Sequence, residues 1–286
     1  MNLDAAARRA LRIRFVIGPL LLLLIAGIFW IDVSWTRGRF SALVLALLSL
    51  AGLLEYVSMM RGAGFPIGRG FLLSSALCLH VSAFFSSSWN SLDTELYAPV
   101  LITVVLVFVL AIRALARSRM DKGLEEMGST LLGFLLVSWP LFFAQGLALR
   151  QLGALLFVVL VSKGGDIGAY LAGVSLGSRK LIPHVSPGKS IEGALGGLLA
   201  SCLLALLLAP PLLEPVLRLE TWQALAIGLL INLTTQIGDL VESLVKRRCG
   251  VKDSSTILPV HGGILDLVDS LLFSVPAFFF VLVRLT

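Results

Sequence analysis

Apolar runs of about 18 residues or more recur along the whole of this chain, the length a helix needs to cross a hydrocarbon core of about 30 Å. They lie near 14–33, 40–60, 70–86, 98–117, 127–149, 152–175, 191–213, 222–245 and 264–283; the run at 70–86 is short and Ser-rich. Only 14% of the 286 residues are charged and 57% are hydrophobic, whereas a soluble domain carries about a quarter charged residues. The expected fold is all-α: a polytopic integral membrane bundle of about nine transmembrane helices. No polar stretch is long enough for a separate soluble domain. The first run follows "ARRALRIR" and lacks a small-residue cleavage site, so it reads as a retained anchor.

Lys and Arg placement sets the expected orientation. With the N-terminus cytoplasmic, the inner side receives Arg8, Arg9, Arg12, Arg14, Arg61, Arg69, Arg113, Arg117, Arg119, Lys122, Arg179, Lys180, Lys189, Lys246, Arg247, Arg248 and Lys252. The outer side receives Arg37, Arg39, Arg150, Arg218 and Arg284. The net charge of +6 is thereby concentrated where anionic headgroups lie. The membrane is the cell (inner) membrane if the source is bacterial. The basic residues are split among short loops without an aromatic platform, so nucleic acid is not an expected partner. Cys78, Cys202 and Cys249 show no paired spacing, which argues against a disulfide framework or a zinc site.

The two halves differ in polarity. Residues 1–150 are mostly Leu, Val, Ala and Phe and read as scaffold helices that face lipid or form oligomers, a homodimer among them. Glu55 there reads as a snorkelling or salt-bridged structural residue, and His80 as a hydrogen-bonded structural histidine. Residues 151–286 place Asp166, Asp239, Glu242, Asp266 and Asp269 within or at the ends of apolar helices. A charge at such depth costs about 2.5–3.5 kcal/mol and marks a water-filled or ion-binding interior. This second half is expected to be catalytic.

Three polar constellations carry that expectation. In "SKGGDIGAYLAG" Asp166 stands one helical turn after Lys163, close enough to pair, and Gly164, Gly165 and Gly168 admit a neighbouring helix or a ligand. "SPGKS" ends like a nucleotide-binding loop. The position that would need the first glycine is Pro183, and no soluble strand precedes it, so that reading is rejected. Ser186 or Ser190 reads instead as a helix N-cap, with Lys189 near a helix start suited to phosphate. In "QIGDLVESLVKRRCGVKD" Asp239, Glu242, Ser243 and Lys246 recur every three or four residues and form one polar stripe. Lys246, Arg247, Arg248 and Lys252 form a cation patch beyond it. Finally, His261-Gly262-Gly263 exposes backbone N–H groups suited to an anion-binding nest, and Asp266 and Asp269 share a face of the helix that follows. Convergent carboxylates surrounded by lysines suit Mg²⁺-bound phosphates.

These residues resemble the signature of the phosphatidate cytidylyltransferase (CDP-diacylglycerol synthase) family. The resemblance runs in order through Ser243, Lys246-Arg247, Lys252-Asp253, Ser255, Leu258-Pro259, His261-Gly262-Gly263, Asp266 and Asp269. Upstream, "GDLVES", "GGDIGAYLAG" and "SPGKSIEG" resemble further family segments, so that residues 160–275 are covered. There are two departures. Leu267 stands where the family has Arg, which removes a permanent charge and a bidentate phosphate fork. Gly188-Lys189 stands where it has Lys-Lys. Arg247 and Arg248 are the nearest replacements for the missing guanidinium.

The resemblance implies that CTP and phosphatidate give CDP-diacylglycerol and pyrophosphate at a site facing the cytoplasm. It implies Mg²⁺, with or without a second cation, on Asp239, Asp266 and Asp269, with Lys252 and Asp253 also catalytic. Asp166, Lys189, Glu242, Ser243, Lys246, Arg247, His261, Gly262 and Gly263 are the expected substrate-binding residues. Three other readings stay open: a CTP-dependent lipid kinase of the polyprenol type, a non-catalytic paralogue (because of Leu267), and an ion or solute transporter.

Overall fold

The computed structural model describes residues 27–85, 92–116, 120–214, 217–257 and 262–286. The described chain is helical apart from one small hairpin. A short helical stretch and a π-turn, Asp32–Thr36, lead into α1, Arg39–Gly62. Then follow α2, Arg69–Phe85, and α3, Leu92–Leu115. Next, α4, Met120–Gly133, continues through a π-turn, Phe134–Ser138, into α5, Trp139–Arg150. The turn ends just before Pro140, whose missing N–H cannot close an ordinary α-helical bond.

The second half contains α6, Leu152–Leu176, then strands β1, Lys180–Ile182, and β2, Ser186–Ser190, and α7, Ile191–Leu213. It ends with α8, Thr221–Arg248, the five-residue α9, Ile264–Val268, and α10, Leu271–Leu285. The strands pair antiparallel, with Lys180 opposite Ser190 and Ile182 opposite Ser186.

Seven helices among the described residues are long and apolar enough to cross a membrane: Arg39–Gly62, Leu96–Leu115, Asp121–Arg150, Leu152–Leu176, Ile191–Leu213, Thr221–Arg248 and Ile264–Leu285. The Ser-rich run at 70–86 is α2, an apolar helix of 17 residues. Most of the first run, 14–33, lies outside the described residues. The architecture is the expected all-α polytopic membrane bundle. The β1–β2 hairpin is an addition that hydropathy did not foresee, because its eight strand residues mix polar and apolar types with no sustained alternation.

The core lies among α1, α5, α6 and α10. Tyr56, Phe142, Phe143, Phe157, Phe278 and Phe279 are fully buried there. The rings of Phe143 and Phe279 are 4.9 Å apart, and those of Phe157 and Phe278 are 5.3 Å apart. Pairs of this kind add about 0.5–1.5 kcal/mol beyond their buried area. The glycines of α6 serve helix packing: a Cβ on Gly168 would stand 2.4 Å from that of Ala200 on α7, and one on Gly164 would stand 2.0 Å from Leu204 Cδ1. Helices that gain little from the hydrophobic effect inside lipid associate through such close backbone approach.

His80 has the structural role expected of it. It is 1% exposed, and its Nδ1 lies 2.6 Å from Gln145 Oε1. Gln145 in turn donates to the Ala42 carbonyl at 2.8 Å, tying α2 and α5 to α1.

Candidate active site

The helices alternate in direction, which brings the C-terminal parts of α1, α6 and α8 to the same end of the bundle as the starts of α7 and α9. The acids and lysines of the second half meet there. On α8 the helical period aligns Asp239, Glu242 and Lys246 along one face. Glu242 is completely buried and Lys246 is 9% exposed, and their charges pair directly. Asp269 approaches from the break between α9 and α10. One carboxylate oxygen from each of Asp239, Glu242 and Asp269 lies within 4.8 Å of the other two.

Lysines from other helices surround these acids. Lys189, carried by β2, places Nζ 2.6 Å from Asp239 Oδ2. Lys163 on α6 stands 3.9 Å from Asp166 Oδ2 and 3.8 Å from Asp269 Oδ1. Lys246 lies 2.5 Å from Asp266 Oδ1. Among the described residues Glu242 Oε1 is buried without a hydrogen-bond donor, a costly arrangement for a carboxylate. Hard oxygen ligands grouped this closely, one of them without a donor, fit a divalent ion.

The expected ligand set and the grouping in space differ at two residues. Asp266 is already committed: Oδ1 faces Lys246, and Oδ2 accepts from Ser254 N at 2.8 Å, Ser254 Oγ at 2.6 Å and Gly263 N at 2.7 Å. Glu242, expected to bind substrate, takes its place beside Asp239 and Asp269. The anion-nest expectation for the glycine pair also changes, because the N–H of Gly263 is taken by Asp266. Both glycines are nevertheless required by packing. Gly262 has φ +83° and a Cβ there would lie 2.6 Å from Asp266 Oδ2, while one on Gly263 would lie 2.1 Å from Ser254 Oγ.

Glu55 of α1, read as a snorkelling or salt-bridged structural residue, organises this loop through hydrogen bonds. It is 5% exposed. It accepts from Ser254 Oγ at 2.9 Å, Ser255 Oγ at 2.7 Å, Ile264 N at 2.9 Å and Leu265 N at 2.9 Å. It thereby takes up two of the free N–H groups that open α9. The one sequence signal for it was an isolated acid in an apolar span.

The remaining expected residues are more peripheral. Lys252 and Asp253 are exposed in the loop before Ser254, and Ser243 is half-buried on α8. Arg247 is exposed and donates to the Val251 carbonyl at 3.2 Å. Arg248 stacks over the Phe65 ring at 4.8 Å. Neither is therefore turned to the acids as a substitute for an arginine at 267. His261 lies outside the described residues.

The hairpin completes one wall. Of the two expected caps it is Ser190 that caps α7, accepting from Gly193 N at 3.1 Å, while Ser186 opens β2. Glu192 accepts from Ser178 Oγ at 2.6 Å and from the N–H groups of Ser178 and Arg179, fixing the path from α6 into β1. Between hairpin, α6, α7 and α8 is a cavity of about 380 Å³ lined by Asp166, Tyr170, Lys189, Ser190, Gln236 and Asp239. Its rim includes Tyr170 and Val174, which are 65% and 71% exposed on the outer face of α6. The arrangement can hold a metal-bound polyphosphate beside an exposed apolar face of α6.

Comparison with known proteins agrees with this chemistry. The sequence pattern described as "Cytidylyltransferase family" matches residues 12–285. The chain is 32% identical over 244 residues to the phosphatidate cytidylyltransferase of Staphylococcus haemolyticus, covering 85% of this chain and 89% of that protein. It is 43% identical over 130 residues to the phosphatidate cytidylyltransferase of Staphylococcus aureus strain COL, covering 46% of this chain and 49% of that one. It is also 49% identical over 132 residues to the uncharacterized protein YnbB of Escherichia coli K12, covering 46% of this chain and 43% of that one. The aligned segment is thus less than half the length of two of these three relatives. A pattern match over nearly the full length places this chain in the cytidylyltransferase family.

Proposed function

We propose that this protein transfers a cytidylyl group from CTP to phosphatidate, giving CDP-diacylglycerol and pyrophosphate, at a site on the cytoplasmic side of a cell membrane. The observation that carries the reading is the convergence of Asp239, Glu242 and Asp269 within 4.8 Å, each beside a lysine, next to a cavity whose rim carries the exposed apolar side chains of Tyr170 and Val174. The family match and the names of two relatives support it.

In this reading Asp239, Glu242 and Asp269 would hold Mg²⁺, which when bound would supply positive charge to the triphosphate. Asp266 acts one step back, holding Lys246 and the Ser254–Gly263 loop in place. Lys189 and Lys246 neutralise the phosphates that approach and depart. Asp166 and Tyr170 border the cavity through which the lipid headgroup enters. The phosphate of phosphatidate is already an anion, so it attacks in line without a general base, and catalysis is mainly positioning and charge neutralisation.

The test is purified protein in phosphatidate-containing vesicles with CTP and Mg²⁺. Release of pyrophosphate together with a lipid product that keeps the cytosine supports the reading. A phosphorylated lipid without cytosine, or ion flux without CTP consumption, would replace it with another.

A further inference from the structure

Two of the three lysines around the acids are tightly held. Lys246 lies 2.5 Å from Asp266 Oδ1 and also against Glu242, and Lys189 is 2.6 Å from Asp239 Oδ2. Lys163 is different. Its Nζ stands 3.9 Å from Asp166 Oδ2 and 3.8 Å from Asp269 Oδ1, beyond hydrogen-bond length to either. An ammonium carries three donors, and no hydrogen bond to a protein acceptor occupies them among the described residues.

The position itself is built rather than incidental. Lys163 lies within a helix that crosses the membrane, with 37% of its side chain exposed. A cation at such depth is costly and faces a wet or functional interior. The helix beside it is closely packed: a Cβ on Gly164 would stand 2.0 Å from Leu204 Cδ1, and one on Gly165 2.2 Å from Ser201 Oγ and 2.7 Å from Asn232 Nδ2. Among the described residues, Lys163 is the cation with an ion pair to Asp269. Arg248 is stacked on Phe65, Arg247 is exposed and bonded to Val251, and α9 places the uncharged Leu267 between its two aspartates.

We infer that Lys163 is a ligand of substrate phosphate: its ammonium donates to a non-bridging phosphate oxygen on the Asp269 side of the site and supplies positive charge that α9 does not. The inference rests on the cytidylyl-transfer reading and sharpens it. Nucleotide phosphate and lipid phosphate offer the same oxygens, so the experiment must separate them.

The first measurement is equilibrium binding, which needs no turnover. Mg²⁺–CTP is titrated by calorimetry, and phosphatidate nanodiscs are compared with phosphatidylcholine nanodiscs. Lys163→Met keeps the stem and removes the charge, and is expected to weaken one of these ligands by about 10- to 100-fold. Whichever ligand weakens identifies the phosphate. Lys163→Arg should retain most of the affinity, and Leu267→Arg should restore binding in the Lys163→Met background.

A purely structural lysine, present only to balance charge, predicts that Asp166→Asn rescues Lys163→Met. A phosphate ligand predicts no rescue. Unchanged binding of both ligands by Lys163→Met, with thermal unfolding like that of the wild type, would overturn the inference, as would rescue by Asp166→Asn. Wild-type protein that binds both ligands yet releases no pyrophosphate would count against the cytidylyl-transfer reading, while the variant titrations still decide the role of Lys163.

Discussion

The carboxylate of Glu55 and the hydroxyl of Ser254 lie 2.9 Å apart although 199 positions separate them in the chain. Through this contact and three more, α1 grips the loop that carries Ser254, Ser255 and the start of α9. The same Ser254 also holds Asp266. The first half of the chain thus reaches the loop of the candidate active site through the Glu55 side chain.

Glu55→Gln is expected to damage that grip. One oxygen becomes an NH₂ group facing the N–H of Ile264 or Leu265, so donors oppose donors where a charged acceptor stood. Hydrogen bonds to charged groups contribute about 1.5–3 kcal/mol each, so pyrophosphate release should fall by about tenfold or more. Hydrogen exchange should rise in residues 254–257 and 262–266; wild-type exchange there would show that the contacts are dispensable.

The acids should separate into two classes. Asp239→Asn and Asp269→Asn are expected to weaken Mg²⁺ activation, so that raising Mg²⁺ recovers part of the rate. Asp266→Asn should lose activity at every Mg²⁺ concentration, because it frees Lys246 and the Ser254–Gly263 loop rather than removing an ion ligand. A Mg²⁺ titration of the three variants distinguishes the classes. If Asp266→Asn is the one rescued, it is the metal ligand.

Gly263→Ala should be poorly tolerated. The added methyl would meet Ser254 Oγ at 2.1 Å and Glu55 Oε2 at 2.4 Å, both atoms fixed by their own hydrogen bonds. Overpacking of this kind costs about 1–3 kcal/mol, to be read as a lower thermal midpoint in detergent. At Gly188, where nothing lies within 4 Å of a Cβ, the same substitution should leave the midpoint unchanged.

Orientation can be read by cysteine labelling. With native cysteines replaced by serine, Arg218→Cys should react with a membrane-impermeant maleimide in intact cells, and Lys180→Cys only after lysis. Both positions are exposed and sit at opposite ends of α7, the first beyond its C-terminal end and the second before its start. The reversed pattern would put the candidate site outside the cell.

The sequence by itself determined the transmembrane helices and the identity of the signature residues, because both follow from local pattern. A run of apolar residues reports its own length against the bilayer, and a polar stripe on α8 follows from the helical period alone. That Asp239, Glu242 and Lys246 share a face was therefore legible, whereas the choice of Ser190 over Ser186 as the cap was made by the structure. Only the tertiary structure decided which acids converge. Asp266 and Asp269 are three residues apart, yet the break after Val268 sends one to Lys246 and Ser254 and the other to Asp239 and Glu242. Helix rotation, the course of a loop and contacts between distant segments set those distances, and nothing in local hydropathy or spacing encodes them. For the same reason Glu55 looked like a stray charge and Lys163 like half of an ordinary helical pair until the bundle brought both to the site.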